Sequence, residues 1–335
     1  MPGIVGAPPW PCGAGVLRRC RYALLCLSPF VAAVPFALQG PVMTFDSQAD
    51  LCGAVARLCV YPVKSCAGVE VQEAVLTEAG LEFDRAWMLV DDQHRFLTQR
   101  SLPRMALVRP HIDRARGLLV LQAPGQDDLA VPLAPVQGAP TLVVEVWQDQ
   151  VNAWDMGDTA AHWFSTFLGQ PCRMVRFDPA QRRLSSLRWT QGREVPNQFS
   201  DGFPVLLTSM ASLDDLNARL QAAGHGAVGM ERFRPNVVID GVQSHDEDRI
   251  ELLRIEAQPG PIHLQPVKPC ARCPIPNIDP ATAHSDSAVG DTLRSYRQDR
   301  RLDGAVTFGM NAMVLQGAGQ VLRVGQRIAA DLSFD

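Results

Sequence analysis

From residue 54 onward, apolar positions alternate with polar ones instead of recurring every third or fourth residue. That is the period of a strand with one buried face. Residues 55–63 are alternating and β-branched, Ala67-Gly68 turns the chain, and 69–76 alternates again. Residues 86–91 and 95–99 flank Asp91-Asp92-Gln93-His94 and predict a hairpin. Further strands are predicted over 105–109, 118–122, 129–133, 142–147 and 151–154. So long a run of short strands and polar turns, with no helical period, implies a barrel or sandwich.

The period changes after Asp158. That residue is the expected N-cap of a helix over 159–168, Gly169 its stop, and Ala160, Trp163, Phe164, Phe167 and Leu168 its apolar face. A strand is predicted over 172–177, then a polar, irregular segment over 178–200 suited to a linker or an active-site loop. A second helix is predicted from 213 to 223, capped by Ser212 and stopped by Gly224. Strands resume over 236–239, 250–257, 262–267, 306–315, 321–324 and 327–332. The expected fold is mainly β (α+β), with two β-rich units, one of them a β-barrel, and two or three short helices. The expected division is an extension over 1–50, a first unit over 51–190 and a second over 191–335.

Residues 1–50 differ from the rest. Arg18, Arg19 and Arg21 precede an apolar run from Ala23 to Leu38, which resembles a signal peptide or anchor. Ser28, Pro29 and Pro35 interrupt it, and it is shorter than the roughly 20 residues that span a bilayer. Met43 lies just downstream, so an upstream extension fits equally, and membrane contact is expected through residues 1–42 or not at all. A net charge of −4 gives no reason to expect nucleic acid as a partner. Nine cysteines, an odd and scattered number, do not form a disulfide framework. Cys52, Cys59 and Cys66 read as buried thiols. A reducing compartment follows, and the cytoplasm is the expected location.

The densest chemistry is Lys268-Pro269-Cys270-Ala271-Arg272-Cys273-Pro274-Ile275-Pro276-Asn277-Ile278-Asp279-Pro280. The prolines predict a rigid, non-helical loop. A thiolate is a soft ligand for zinc, copper(I), iron–sulfur or molybdenum-type centres, and Arg272 favours the charged form of either sulfur. Three plainer readings compete. The pair could be half of a zinc site, with His263 and His284 as the candidates for its two other ligands; a redox pair, which Pro274 and Pro276 argue against; or ordinary buried thiols.

Other stretches gather cations at strand ends: Tyr61-Pro62-Val63-Lys64-Ser65, Asp84-Arg85-Ala86-Trp87, Arg232-Phe233-Arg234-Pro235-Asn236 and Leu293-Arg294-Ser295-Tyr296-Arg297, with Phe308-Gly309 beyond. Such a set suits an anionic, phosphate-bearing ligand, although each cation alone reads as a solvated charge. In this order, with Ser200-Asp201, Pro204 and Asp279-Pro280, they resemble the MOSC proteins that carry a MOSC N-terminal β-barrel domain. That group contains the mitochondrial amidoxime-reducing component. The resemblance runs from Cys52 to Asp331.

The resemblance implies a molybdenum cofactor, a molybdopterin whose metal is held by Cys273, the catalytic residue. Lys64, Ser65, Arg85, Arg234 and Asn236 fall where the family binds phosphate and pterin, and the family's associations extend to pyridoxal phosphate. The implied activity is two-electron reduction of N-hydroxylated compounds. The alternative is a carrier that passes the cofactor, or a persulfide on Cys273, to a partner. Pro276-Asn277 and Gly202-Phe203 depart from the family's hydroxylated residues. With no nucleotide fingerprint or iron–sulfur cysteine set, electrons are expected from separate ferredoxin-, flavin- or cytochrome-type proteins.

Overall fold

The computed structural model describes residues 48–135 and 138–334, so the apolar run and Met43 lie outside the described residues. Seven strands close a barrel: β1 (Leu51–Val60), β2 (Val205–Ser209), β3 (Val237–Asp240), β4 (Ile250–Ile255), β5 (Ile262–Ala271), β6 (Ala305–Gln316) and β7 (Arg327–Leu332). Their order around the barrel is β2-β3-β1-β7-β4-β5-β6, and β6 returns to β2. Only β2 and β3 run parallel in that ring, with Leu207 opposite Val237. The closing pair sets Leu207 against Met310. Closure removes the unpaired edges that an open sheet would expose.

The alternation seen in the sequence fills the interior. Val55, Leu58, Leu207, Val237, Ile239, Leu253, Ile255, Ile262, Leu264, Ala312 and Ile328 form one buried cluster. Gly309 lets β6 approach β2 at the closure: it lies at φ 76, and a Cβ there would meet the Leu207 carbonyl oxygen at 2.6 Å. Outside the barrel, α2 (Met210–Ala222) and α3 (Ala288–Tyr296) bury Leu213, Leu216, Leu220, Val289 and Leu293 against Phe233, Val238 and Phe308.

A second core lies between β1 and β2 in the sequence. A four-stranded sheet runs Trp87–Val90, Arg173–Phe177, Asp149–Asp155, Thr141–Val146, and a three-stranded sheet runs Arg109–Asp113, Leu118–Gln122, Leu129–Pro132. The helix α1 (Asp158–Leu168) buries Phe164 and Phe167 among Trp87, Leu119, Leu121 and Met174. Each such aromatic contributes about 1.5–3 kcal/mol by burial. Among the described residues, no helix is long and apolar enough to cross a membrane.

Several local expectations need correction. Residues 105–109 do not form a strand; Pro103–Leu107 is a 3-10 helix, which Pro103 opens from its first turn. Residues 95–99 make only isolated bridges, Val90 with Phe96 and Arg95 with Glu145. The α1 helix is capped by the backbone of Gly157, while the Asp158 carboxylate pairs with Arg173. The cap of α2 is Ser209, which accepts from the Ser212 N–H, so this helix starts a turn early. Lys268–Ala271 continues β5 through bulges instead of forming a loop. Cys52 is exposed, whereas Cys59 and Cys66 are buried as expected.

Candidate functional site

The barrel strands end at a cavity of about 410 Å³. Lys64, Ser65, Arg85, Arg234, Asn236 and Cys273, the six residues singled out from the sequence, all line it. Three of them, Ser65 (φ 68), Arg85 (φ 48) and Arg234 (φ 58), hold left-handed backbone that side chains rarely adopt. Such residues persist only where surrounding structure enforces them, and they cluster at functional sites. Here the enforcement is visible. Lys64 N–H donates to the Trp87 carbonyl, and Arg85 N–H to that of Tyr61, both at 2.8 Å.

Lys64 and Ser65 are buried where the chain leaves β1. The Lys64 ammonium donates to the Phe199 carbonyl at 2.8 Å and to Asp201 Oδ1 at 2.5 Å. Burial lowers the Lys64 pKa, against the pull of Asp201. Burial also opposes ionisation of Asp201, but Lys64, Arg85 and the Trp147 indole outweigh it and hold the carboxyl well below its usual range. Asp201 nonetheless opens to the cavity, with its side chain 68% exposed.

Arg85 pairs with Asp84 at 2.5 Å and donates to Asn236 Oδ1 and the Arg234 carbonyl. Its guanidinium and that of Arg234 stand 4.4 and 4.3 Å from the Tyr61 ring centre. Two like charges share one aromatic ring. Burial first, and Arg85 second, push Arg234 down to about 10. Tyr61 needs Gly68 beside it, because a Cβ there would meet its ring at 2.5 Å. The Asn236 amide is committed to protein: it accepts from Leu206 N–H and Arg85 and donates to the Cys59 carbonyl.

Cys270 and Cys273 lie at the cavity's half-buried edge. Arg272 Nη1 donates to the Cys270 sulfur at 3.0 Å, so its guanidinium serves that thiol and not both. Among the described residues the Cys273 sulfur forms no hydrogen bond, which leaves it free for a ligand. Arg272 Nε is buried without a partner. No group of three or more His, Cys, Asp or Glu among the described residues is placed to hold a metal ion. His263 sits at the opposite end of β5 from Cys270, so it does not complete a zinc site with that thiol.

Other quoted cations go elsewhere. Arg297 pairs with Asp248 at 2.5 Å, Arg294 with Asp291 on the surface, and Arg232 donates to the Pro276 carbonyl. Residues that sequence reasoning missed also line the cavity, Phe96, Arg100 and Trp147, together with Lys268 and Asn311, which lie in stretches read from the sequence but were given no role there. Arg100 and Phe96 carry no local signal. Trp147 did carry one, as a bulky residue where a hairpin must turn.

The rim of a closed barrel thus gathers buried cations, strained backbone and a thiol that forms no hydrogen bond among the described residues. Residues 52–171 match the MOSC N-terminal beta barrel domain, and residues 194–329 match the MOSC domain. The chain is 34% identical over 288 residues to mitochondrial amidoxime-reducing component 1 of Mus musculus, covering 82% of each. It is 34% identical over 257 residues to mitochondrial amidoxime reducing component 2 of Rattus norvegicus, covering 73% of this chain and 72% of that one. Against molybdenum cofactor sulfurase of Homo sapiens it is 28% identical over 274 residues, 77% of this chain but 30% of that protein. The chain belongs to the amidoxime-reducing component family of MOSC-domain proteins.

Proposed function

We propose that the protein is a molybdenum-cofactor-dependent oxidoreductase that reduces N-hydroxylated compounds by two electrons. The observation that carries this is the convergence of Lys64, Arg85, Arg234 and Cys273, far apart in sequence, on one cavity. The residues fit the cofactor. Lys64, Arg85 and Arg234 suit a phosphate, the Cys273 thiol suits a soft metal, and the unpartnered Arg272 Nε suits a further acceptor atom. The bound cofactor supplies the two-electron chemistry. The protein's part is orientation and charge. Asp201 keeps Lys64 in place and charged, and the Tyr61 ring braces Arg85 and Arg234. The overall change consumes two electrons and two protons per N–O bond and releases the dehydroxylated nitrogen compound (an amidine from an amidoxime, an amine from a hydroxylamine) and water.

The division at residues 190/191 belongs to this proposal, with β1 shared, since it lies before that boundary and pairs with β3 and β7 beyond it. Separate proteins supply the electrons. The relatives' names place them in mitochondria; for this chain the cytoplasm remains the proposal. The test is elemental and pterin analysis of protein made in a cofactor-competent host, followed by turnover of an amidoxime with reduced viologen. About one molybdenum and one pterin per chain, with the amidine produced, is the expected result. Stoichiometric zinc without molybdenum overturns the reading, and a molybdenum-loaded protein without turnover favours the carrier. NADH alone should drive nothing until reductase proteins are added.

A further inference from the structure

The cavity mouth carries residues that the cofactor-holding set does not use. Val146 pairs with Asp149, so Trp147-Gln148 is a two-residue hairpin turn, a place that favours Asn-Gly or Asp-Gly. Trp147 sits there at φ 59, a conformation that bulky side chains avoid. Two contacts hold it. Its indole N–H donates to Asp201 Oδ1 at 3.2 Å, and its ring packs on Phe96 at 5.0 Å. The strained indole in turn supports the Arg100 guanidinium at 4.7 Å. Lys268 lines the same cavity, and its Nζ stands 5.6 Å from the Trp189 ring.

These two cations differ from Lys64 and Arg85 at the base. Lys64 and Arg85 each have a carboxylate, Asp201 and Asp84. Among the described residues, Arg100 and Lys268 form no ion pair; each rests on an indole. An aromatic face holds a cation without cancelling its charge. The cavity lining as a whole sets Lys64, Arg85, Arg100, Arg234, Lys268 and Arg272 against a single carboxylate, Asp201, which Lys64 already engages. Arg100 is exposed and Lys268 half-buried, so both are accessible from solvent.

We propose that Arg100 and Lys268 form an anion-selecting subsite at the mouth, which takes the carboxylate or phosphate substituent of a flat N-hydroxylated substrate. Trp147 is the positioning residue that holds Arg100 in place. The inference rests on the reductase reading above and names the substrate class of that site. A substrate bound this way spans the distance from the mouth cations to the Cys273 edge, with its acidic end outward.

The test compares benzamidoxime with its 4-carboxy, 4-phosphono and 4-trimethylammonio derivatives on the holoenzyme. Reduced benzyl viologen serves as donor, so docking of an acidic electron-transfer protein plays no part. At low ionic strength the anionic compounds should exceed the neutral one in kcat/KM by about tenfold, mostly through KM, and the advantage should shrink with salt. The carboxy and phosphono arms show which anion the subsite prefers. In Arg100→Gln/Lys268→Gln the anionic-to-neutral ratio should fall toward one, whereas Lys268→Arg should restore it. Trp147→Ala should lower the ratio with both charges still present. Equal kcat/KM for anionic and neutral compounds in the wild type, or a ratio untouched in the double variant, overturns the proposal. Calorimetric binding of 4-carboxybenzamidoxime and benzamidoxime to the unreduced holoenzyme separates the two readings. If no compound turns over, the reductase reading falls, and a binding preference that the double variant loses still supports the subsite. No preference in binding overturns it.

Discussion

Arg234→Met tests whether the buried cations exist for a ligand or for the fold. Burial, aided by Arg85, brings the Arg234 guanidinium well below the usual arginine range, to about 10. At about 1.4 kcal/mol per pH unit, holding that charge costs the folded chain about 3 kcal/mol. The sign is fixed by the direction. A cation whose folded pKa is depressed destabilises the fold fully at pH 7, and relief comes only as pH rises past 10. Against the cost stand the hydrogen bond to the Cys66 carbonyl, about 1 kcal/mol, and the contact with Tyr61, about 1 kcal/mol. A deficit of about 1 kcal/mol remains until an anion arrives. Cofactor-free Arg234→Met should therefore be as stable as the wild type or about 1 kcal/mol more so in urea. Inorganic phosphate at a hundredfold excess over its Kd should stabilise the wild type by about 2.7 kcal/mol, or about 5 °C at about 2 °C per kcal/mol. The variant should show less than half that shift. A variant that loses more than about 2 kcal/mol without ligand yet keeps the full phosphate shift refutes the reasoning, because Arg234 would then be structural.

Three further outcomes are expected. Cys273→Ser should abolish turnover and lower molybdenum content while circular dichroism stays unchanged, and Cys270→Ser should retain much activity; equal loss in both variants would require a paired-thiolate site. Gly68→Ala should destabilise the fold by about 2 kcal/mol in urea and weaken pterin retention, since the new Cβ would sit 2.5 Å from the Tyr61 ring. Burial raises the Glu247 pKa despite hydrogen bonds from Ser212 and Ser209, so wild-type stability should fall as pH rises from the ordinary carboxylate range through that raised value. Glu247→Gln should match the wild type near pH 4 and exceed it by about 1 kcal/mol at pH 8; identical pH profiles would show that the carboxyl is not titrating.

Local pattern went far where one face of an element is buried. The strands β3, β4, β6 and β7 fall within a few residues of the alternating runs, because each inward residue must be apolar whatever its partner. Leu118–Gln122, Leu129–Pro132 and the body of α1 were legible for the same reason. Where a segment has no period of its own, the pattern fails: 103–107 is too short to distinguish a turn of 3-10 helix from a strand. The helix α3 was read as a source of cations, although Val289 and Leu293 form its buried stripe.

Residue chemistry, taken in chain order, pointed to Lys64, Arg85, Arg234 and Cys273. It could not say which cations would be free. Arg294, Arg297 and Arg85 look alike in the sequence and each pairs with a carboxylate, but of the three only Arg85 lines the cavity. Nor could it find Arg100, whose place at the mouth depends on Trp147 turning the wrong way for its size. The sequence by itself determined strand periodicity, the cations and cysteines that the cavity brings together, and the family. Only the tertiary structure decided closure of β1 onto β3 and β7, the sharing of Tyr61 by two guanidiniums, and the free charge at the mouth. The physical reason is that these depend on partners well separated in the chain, 149 residues apart for Arg85 and the Arg234 carbonyl, and no local preference encodes a distant partner.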